Sequence, residues 1–224
     1  MKKLFLLALL AGSTEALHAQ SIAADTLSLG GNVGYGHTSD KAEYKNGGNT
    51  YTSEYVRSQF QFVPAIGYFV ANNLAIGVSL GYTAASEKLT NTGPYSSSPN
   101  ALDARTTLRV GPYVQYYKMI SEQFGVLGTL SVGYQHGFTP SYANNGNRVV
   151  ETTTNGSYAA LTPGIIFFPI PKFGISASVG YLGYEQYGVK RNDDIDGESQ
   201  NVSAIGAAFG LNQLMFGGTY YFGR

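Results

Sequence analysis

Between Leu74 and Tyr82 every second residue is large and apolar. Leu74, Ile76, Val78, Leu80 and Tyr82 share one parity, and Ala75, Gly77, Ser79 and Gly81 share the other. Successive side chains of a β-strand point to opposite faces, so this period sorts the segment into a bulky apolar face and a small one. The pattern recurs at Phe173, Ile175, Ala177, Val179 and Tyr181 against Gly174, Ser176, Ser178 and Gly180. It recurs again at Val126, Leu130, Val132 and Tyr134 against Thr129, Ser131, Gly133 and Gln135. A helix would need apolar residues three and four apart and would be weakened by so many interior glycines. The chain therefore reads as strands that turn a bulky face to an apolar surrounding.

Eight such segments follow one another, at about Thr26–Thr38, Tyr55–Val70, Leu74–Ala84, Arg105–Tyr117, Phe124–Phe138, Gly156–Phe168, Phe173–Tyr184 and Val202–Phe222. Each is near or above the ~9–11 residues that a tilted strand needs to cross a bilayer. Short connections (Ala71 to Asn73, Lys118 to Gln123, Pro169 to Lys172) alternate with long polar ones (Asp40 to Glu54, Glu87 to Asp103, Thr139 to Thr153, Glu185 to Gln200). That asymmetry suits a membrane barrel with periplasmic turns and outer loops, and an even strand count puts both ends on the periplasmic side. The expected fold is all-β, an eight-stranded antiparallel up-and-down transmembrane β-barrel over residues 20–224. A secreted sandwich would bury its bulky face between two sheets of shorter strands, which fits less well.

Composition agrees. Charged residues make up 12 % of the chain, against about 25 % in soluble domains. Net charge is zero, which argues against a nucleic-acid partner. There is no cysteine, so disulfides contribute nothing to stability. At the N-terminus Lys2 and Lys3 precede the apolar run Leu4–Ala11, too short to span a bilayer as a helix. With the small Ala19 behind it, this reads as a signal peptide over residues 1–19, leaving Gln20 as the new N-terminus; cuts after Ala23 or Ala24 stay open.

Aromatics gather near the strand ends, with Tyr68, Phe69, Tyr116, Phe124, Phe167, Phe173, Tyr220 and Phe222 at the short-turn end. Such rings favour the membrane–water boundary. The last segment alternates Leu214, Phe216, Gly218, Tyr220 and Phe222. It resembles the terminal-strand signal read by the outer-membrane assembly machinery, and the chain as a whole resembles the small outer-membrane β-barrels of the OmpX-like and OmpA-transmembrane-domain-like group. That resemblance implies a cell-outer-membrane location, lipid and lipopolysaccharide as surroundings, the assembly machinery as a partner and a monomeric state.

Residues that could carry chemistry are few. His37 and His136 fall at outer strand ends, where some barrels are lipid-modifying enzymes or proteases, but on strands one and five they lie on opposite sides of the wall. A base must reach its nucleophile within hydrogen-bond distance, so no catalytic residue is assigned. Asn192, Asp194, Asp196 and Gly197 imitate the start of a calcium loop, yet Ser203 stands where the closing Glu belongs, so neither metal nor cofactor is expected. Arg57, Gln59, Gln61, Arg105, Arg109, Tyr113, Gln115 and Tyr117 take inward parity, enough bulk to plug a lumen that eight strands make narrow. If Val70 faces Leu74 across the first short turn, the ladder sets Arg57 opposite Glu87, with Arg105 able to approach the same carboxylate. The expected function is non-enzymatic: a scaffold presenting loops for envelope integrity, adhesion or recognition. A narrow small-solute channel and a rim enzyme acting on lipid are the alternatives.

Overall fold

The computed structural model describes residues 21–46, 48–92, 100–142, 149–191 and 199–224. The signal segment, the loop residues 93–99 and 143–148, and the calcium-loop imitation at 192–198 lie outside the described residues. Ten strands form the wall: β1 (Leu27–Asn46), β2 (Asn49–Ala71), β3 (Leu74–Thr92), β4 (Asn100–Met119), β5 (Phe124–Tyr142), β6 (Val149–Ile170), β7 (Phe173–Val179), β8 (Tyr181–Arg191), β9 (Ser199–Ala208) and β10 (Leu214–Phe222). β7 with β8, and β9 with β10, each occupy one wall position, so the wall has the eight positions expected. Pairing is antiparallel throughout, and β1–β10, β10–β7, β7–β6 and β6–β5 contacts close the ring at the short-turn end.

The alternation read from the sequence is the alternation of the wall. Ile76, Val78 and Leu80 point outward and are about half exposed, whereas Ala75 is buried. A belt of outward apolar side chains runs between two aromatic rings. Tyr35, Phe60, Tyr82, Tyr134 and Tyr184 edge it toward the long hairpins, and Tyr68, Tyr116, Phe124, Phe167 and Phe222 edge it toward the short turns. Phe69, placed by the sequence reading with this second ring, instead points into the lumen and is fully buried, because it has the opposite parity to Tyr68.

The long connections differ from expectation. β1 and β2 stay paired from Leu27↔Tyr68 to Asn46↔Asn49, so Asp40 to Glu54 is a continuous ladder rather than a loop. The other three hairpins likewise stay paired up to Leu89↔Asn100, Tyr142↔Val149 and Lys190↔Ser199. Beyond the membrane both faces of a strand are wet, so these extensions carry no apolar alternation to betray them. β2, with 23 residues at ~3.3 Å each, spans roughly 75 Å, far more than the ~25 Å belt requires even when tilted.

The first short turn also departs from the expected three-residue loop. Ala71 pairs with Leu74, Asn72 and Asn73 form the turn, and the register shifts by one between Phe69 and Ala71. Asn73 adopts φ 63°, a left-handed conformation that asparagine tolerates. Its side-chain oxygen accepts from the Ile22 amide at 2.8 Å, and Asn72 accepts from Ala24 at 3.1 Å. These bonds fold the segment before β1 under the barrel and drive Ile22 into its base.

Candidate functional site

The lumen is built in levels, beginning with a floor at the short-turn end. Ile22, Phe69, Tyr117, Ile166, Phe168 and Tyr221 are essentially fully buried there. Ring centroids lie 5.5 Å apart for Phe69–Tyr117 and 5.3 Å for Phe168–Tyr221. Tyr117 donates to Gln115 Oε1 at 2.6 Å and lies 3.2 Å from the Tyr221 hydroxyl, which satisfies the polar ends of rings that burial would otherwise penalise. Arg224 covers the cluster, its guanidinium carbon 3.7 Å from the Phe168 ring centre.

Above the floor is a cavity of about 240 Å³. Hydroxyls and amides such as Ser28, Asn32, Gln61 and Thr129 line it together with apolar and aromatic side chains such as Leu127 and Met215. Large and small residues complement each other across the lumen, as the sequence suggests. Tyr113 lies over Gly67 and Gly77, where a β-carbon would collide with its ring or hydroxyl. Only glycine permits that approach.

An ion pair roofs one side of the cavity. Arg109 on β4 pairs with Glu185 on β8, donates from Nε to Gln135 Oε1 at 3.1 Å, and sits 5.0 Å from the Tyr158 ring centre. Sequence reasoning found Arg109 but assigned Glu185 to a loop. The parity read from Phe173 to Tyr181 would have turned it outward, but the facing slips by one at Gly180. Val179 is outward on β7, Leu182 and Tyr184 are outward on β8, and Tyr181, read as outward, lines the cavity with Glu185 on its side of the strand.

At the outer mouth the expected pairing is present. Arg57 lies opposite Glu87 in the ladder, with Nε 3.5 Å from Oε1. The Tyr55 hydroxyl hydrogen-bonds the same carboxylate, which raises its pKa above the ordinary tyrosine value. Arg105 sits nearby, paired in the backbone with Ala85 across a register shift that separates Ala85 from Glu87.

The two histidines are outward-facing residues above the belt. His37 Nδ1 lies 3.0 Å from Ser58 Oγ, its cross-strand neighbour. His136 Nδ1 lies 2.7 Å from Asn155 Oδ1, which also accepts from the Tyr134 hydroxyl at 2.7 Å. The structure does not bring the two histidines together: they sit on β1 and β5, with partners on β2 and β6. Among the described residues no group of three or more histidines and carboxylates gathers as a metal site would.

Among the described residues the ring of strands has one gap. β1 pairs with β10 from Leu27↔Phe222 up to Gly34↔Met215. Beyond that level, among the described residues, β1 has β2 on one side only, and β9 pairs with β8 alone. The cause is a length mismatch. Between Val179↔Leu214 and Tyr181↔Ala208 the seventh wall position has one residue, Gly180, while the eighth has five, Phe209 to Gln213. The surplus buckles into a 3₁₀ turn, Leu211–Gln213, that leans on Gly36 of β1. Gly180 takes φ 69°, and a β-carbon there would collide with Ala208 and Phe209. The eighth position, expected as one strand from Val202 to Phe222, is thus two strands and a turn.

No family model matches this sequence, and no curated protein matches it. In solved structures the chain is similar to the outer membrane protein OprG from Pseudomonas aeruginosa, with a TM-score of 0.46 and 16 % identity over 93 % of this chain and 100 % of that one. It is also similar to the outer membrane protease OmpT from Escherichia coli, with a TM-score of 0.36 and 11 % identity over 94 % of this chain and 100 % of that one. A closed antiparallel ring of eight wall positions, apolar outside and polar within, gives this chain the architecture of an outer-membrane β-barrel.

Proposed function

We propose that the protein is a non-enzymatic, non-conducting barrel of the Gram-negative outer membrane that holds four stiff hairpins outside the cell for adhesion, recognition or envelope integrity. The sealed floor carries this reading. A solute entering from the outer mouth meets Phe69, Tyr117, Phe168 and Tyr221 packed across its path. That leaves the hairpins as the sizeable surface open to the surroundings, and recognition residues usually lie on such projections from a rigid scaffold. Export by residues 1–19, delivery to the assembly machinery through β10, and insertion as a monomer among lipid and lipopolysaccharide belong to the same proposal. Planar-bilayer recording of the purified barrel tests it. Absence of steady single-channel current is the expected result, and a well-defined conductance would promote the channel alternative. Intact-mass analysis of outer-membrane material should give a chain beginning at Gln20, and retention of Met1 to Ala19 would overturn the export reading.

A further inference from the structure

We infer that the break between β1 and β9 is a side entrance through which a small uncharged amphiphile, a medium-length alkyl chain with a hydroxyl head, passes from the outer leaflet into the lumen cavity. Three observations converge on it. The first is place: the foot of the break is level with the upper edge of the apolar belt, since Tyr35 pairs with the belt-edge residue Phe60, and Ile205 with Tyr184. The second is surface. Ordinary outward belt residues such as Ile76 and Val78 are 46–51 % exposed, whereas Ile205, Phe209 and Leu211 reach 81 %, 63 % and 83 %, and Tyr35 across the gap reaches 66 %. Apolar side chains that stand this far out around one gap offer a lipid-soluble molecule a continuous surface, and offer a polar solute nothing. The third is continuity: the cavity lining includes Gly180, Tyr181, Gln213 and Met215, the residues at the foot of the break.

The cavity itself selects the class of ligand. Its charged lining residue, Arg109, is already neutralised by Glu185, so no anionic head is called for. Apolar surface near the floor, at Leu127 and Ile166, suits a short chain, and hydroxyls and amides above it, such as Ser131 and Gln61, suit an uncharged head. Its volume of about 240 Å³ exceeds the ~150 Å³ at which an apolar cavity already holds benzene. The turn at Leu211–Gln213 is the movable leaf. It is held by the Gln213 amide donating to the Gly210 carbonyl at 3.0 Å and leans on β1 at Gly36, without a strand ladder to either side.

The same contact supplies the lock. A β-carbon on Gly36 would lie 3.7 Å from that of Asn212, within disulfide range, and the chain has no other cysteine. The full barrel carrying Gly36→Cys and Asn212→Cys, in phospholipid nanodiscs, is photolabelled with a diazirine-bearing octanol, and adducts are mapped by mass spectrometry. In the reduced protein, adducts are expected on lumen residues Tyr113 and Met215 as well as on lipid-facing Val78 and Leu130. Oxidation should cut the lumen adducts at least tenfold and leave the lipid-facing ones unchanged. Deleting Gly210 to Gln213, which removes the surplus and leaves Phe209 alone opposite Gly180, should do the same without a disulfide. Lumen labelling that is absent from the reduced protein would overturn the binding site. Lumen labelling untouched by both oxidation and deletion would overturn the side entrance, since the probe would then be arriving by the outer mouth.

Discussion

Arg109 and Glu185, 76 residues apart in the chain, meet as an ion pair inside the barrel, from strands separated by β5 and β6. Their side chains are 34 % and 27 % exposed, between the fully buried pairs whose rupture costs ~3–5 kcal/mol and the surface pairs that contribute about 0–1 kcal/mol. Glu185→Gln leaves the guanidinium without its counter-charge and is expected to destabilise the barrel by roughly 1–2 kcal/mol. Replacing both residues by methionine should cost less than the single change. Urea unfolding in lipid vesicles measures both.

Facing can be checked at two adjacent residues. Val78 lies on the lipid side near the middle of the belt, so Val78→Arg should cost about 2–4 kcal/mol. Ser79→Arg meets the crowded lumen instead. A lipid-soluble thiol reagent should label Val78→Cys and spare Ser79→Cys. The reverse pattern would shift every strand assignment by one residue.

Gly67 and Tyr113 are coupled by contact. A methyl group at Gly67 would strike the Tyr113 hydroxyl and crowd Ser28 Oγ, both at side-chain ends that can yield only by moving. Gly67→Ala is expected to cost about 1–3 kcal/mol, as overpacking usually does. In a Tyr113→Phe background most of that cost should vanish, and a double-mutant cycle by thermal unfolding would reveal the coupling. Additive effects would show that the ring does not lie over Gly67.

The floor should be separable from the wall. Phe69→Ala with Tyr221→Ala removes two of the rings that close the lumen, each at ~3–5 kcal/mol if the barrel does not collapse onto the gap. The wall ladders remain, so the variant should still insert, and it should pass small ions where the parent does not. A folded variant that remains electrically silent would mean that something other than these rings blocks the lumen.

Where the sequence was legible, physics had left a period in it. Leu74 to Tyr82 read correctly because one face meets lipid and the other a narrow lumen. Arg57 and Glu87 could be set opposite each other because an antiparallel ladder keeps its register over a distance, even though the turn itself closed on two residues instead of three. The hairpin extensions were read as loops because a strand wet on both faces carries no such period. Glu185 was lost with them, and with it the partner of Arg109. The break in the eighth wall position did leave a trace. Outward residues are odd-numbered on β9, as at Ile205, and even-numbered on β10, as at Phe216, Tyr220 and Phe222, so a single uninterrupted strand from Val202 to Phe222 could not have kept both on the lipid side.

The length of the β1–β2 hairpin has a mechanical consequence. Its tip is stiffened by Tyr44 stacked across the hairpin on Tyr51, with ring centroids 4.9 Å apart at 8°. A load applied at that tip along the strand axis cannot peel bonds one at a time. It pulls β2 lengthwise against β3, from Thr52↔Thr92 down to Phe62↔Tyr82, so the hydrogen bonds of that stretch resist in parallel. On its other flank, among the described residues, β1 has no strand partner until Gly34 meets Met215, only the turn that leans on Gly36. Tension from a surface-bound partner would therefore flow into the wall through β2 and β3, leaving the β9 side slack. The barrel is a tether with one taut edge.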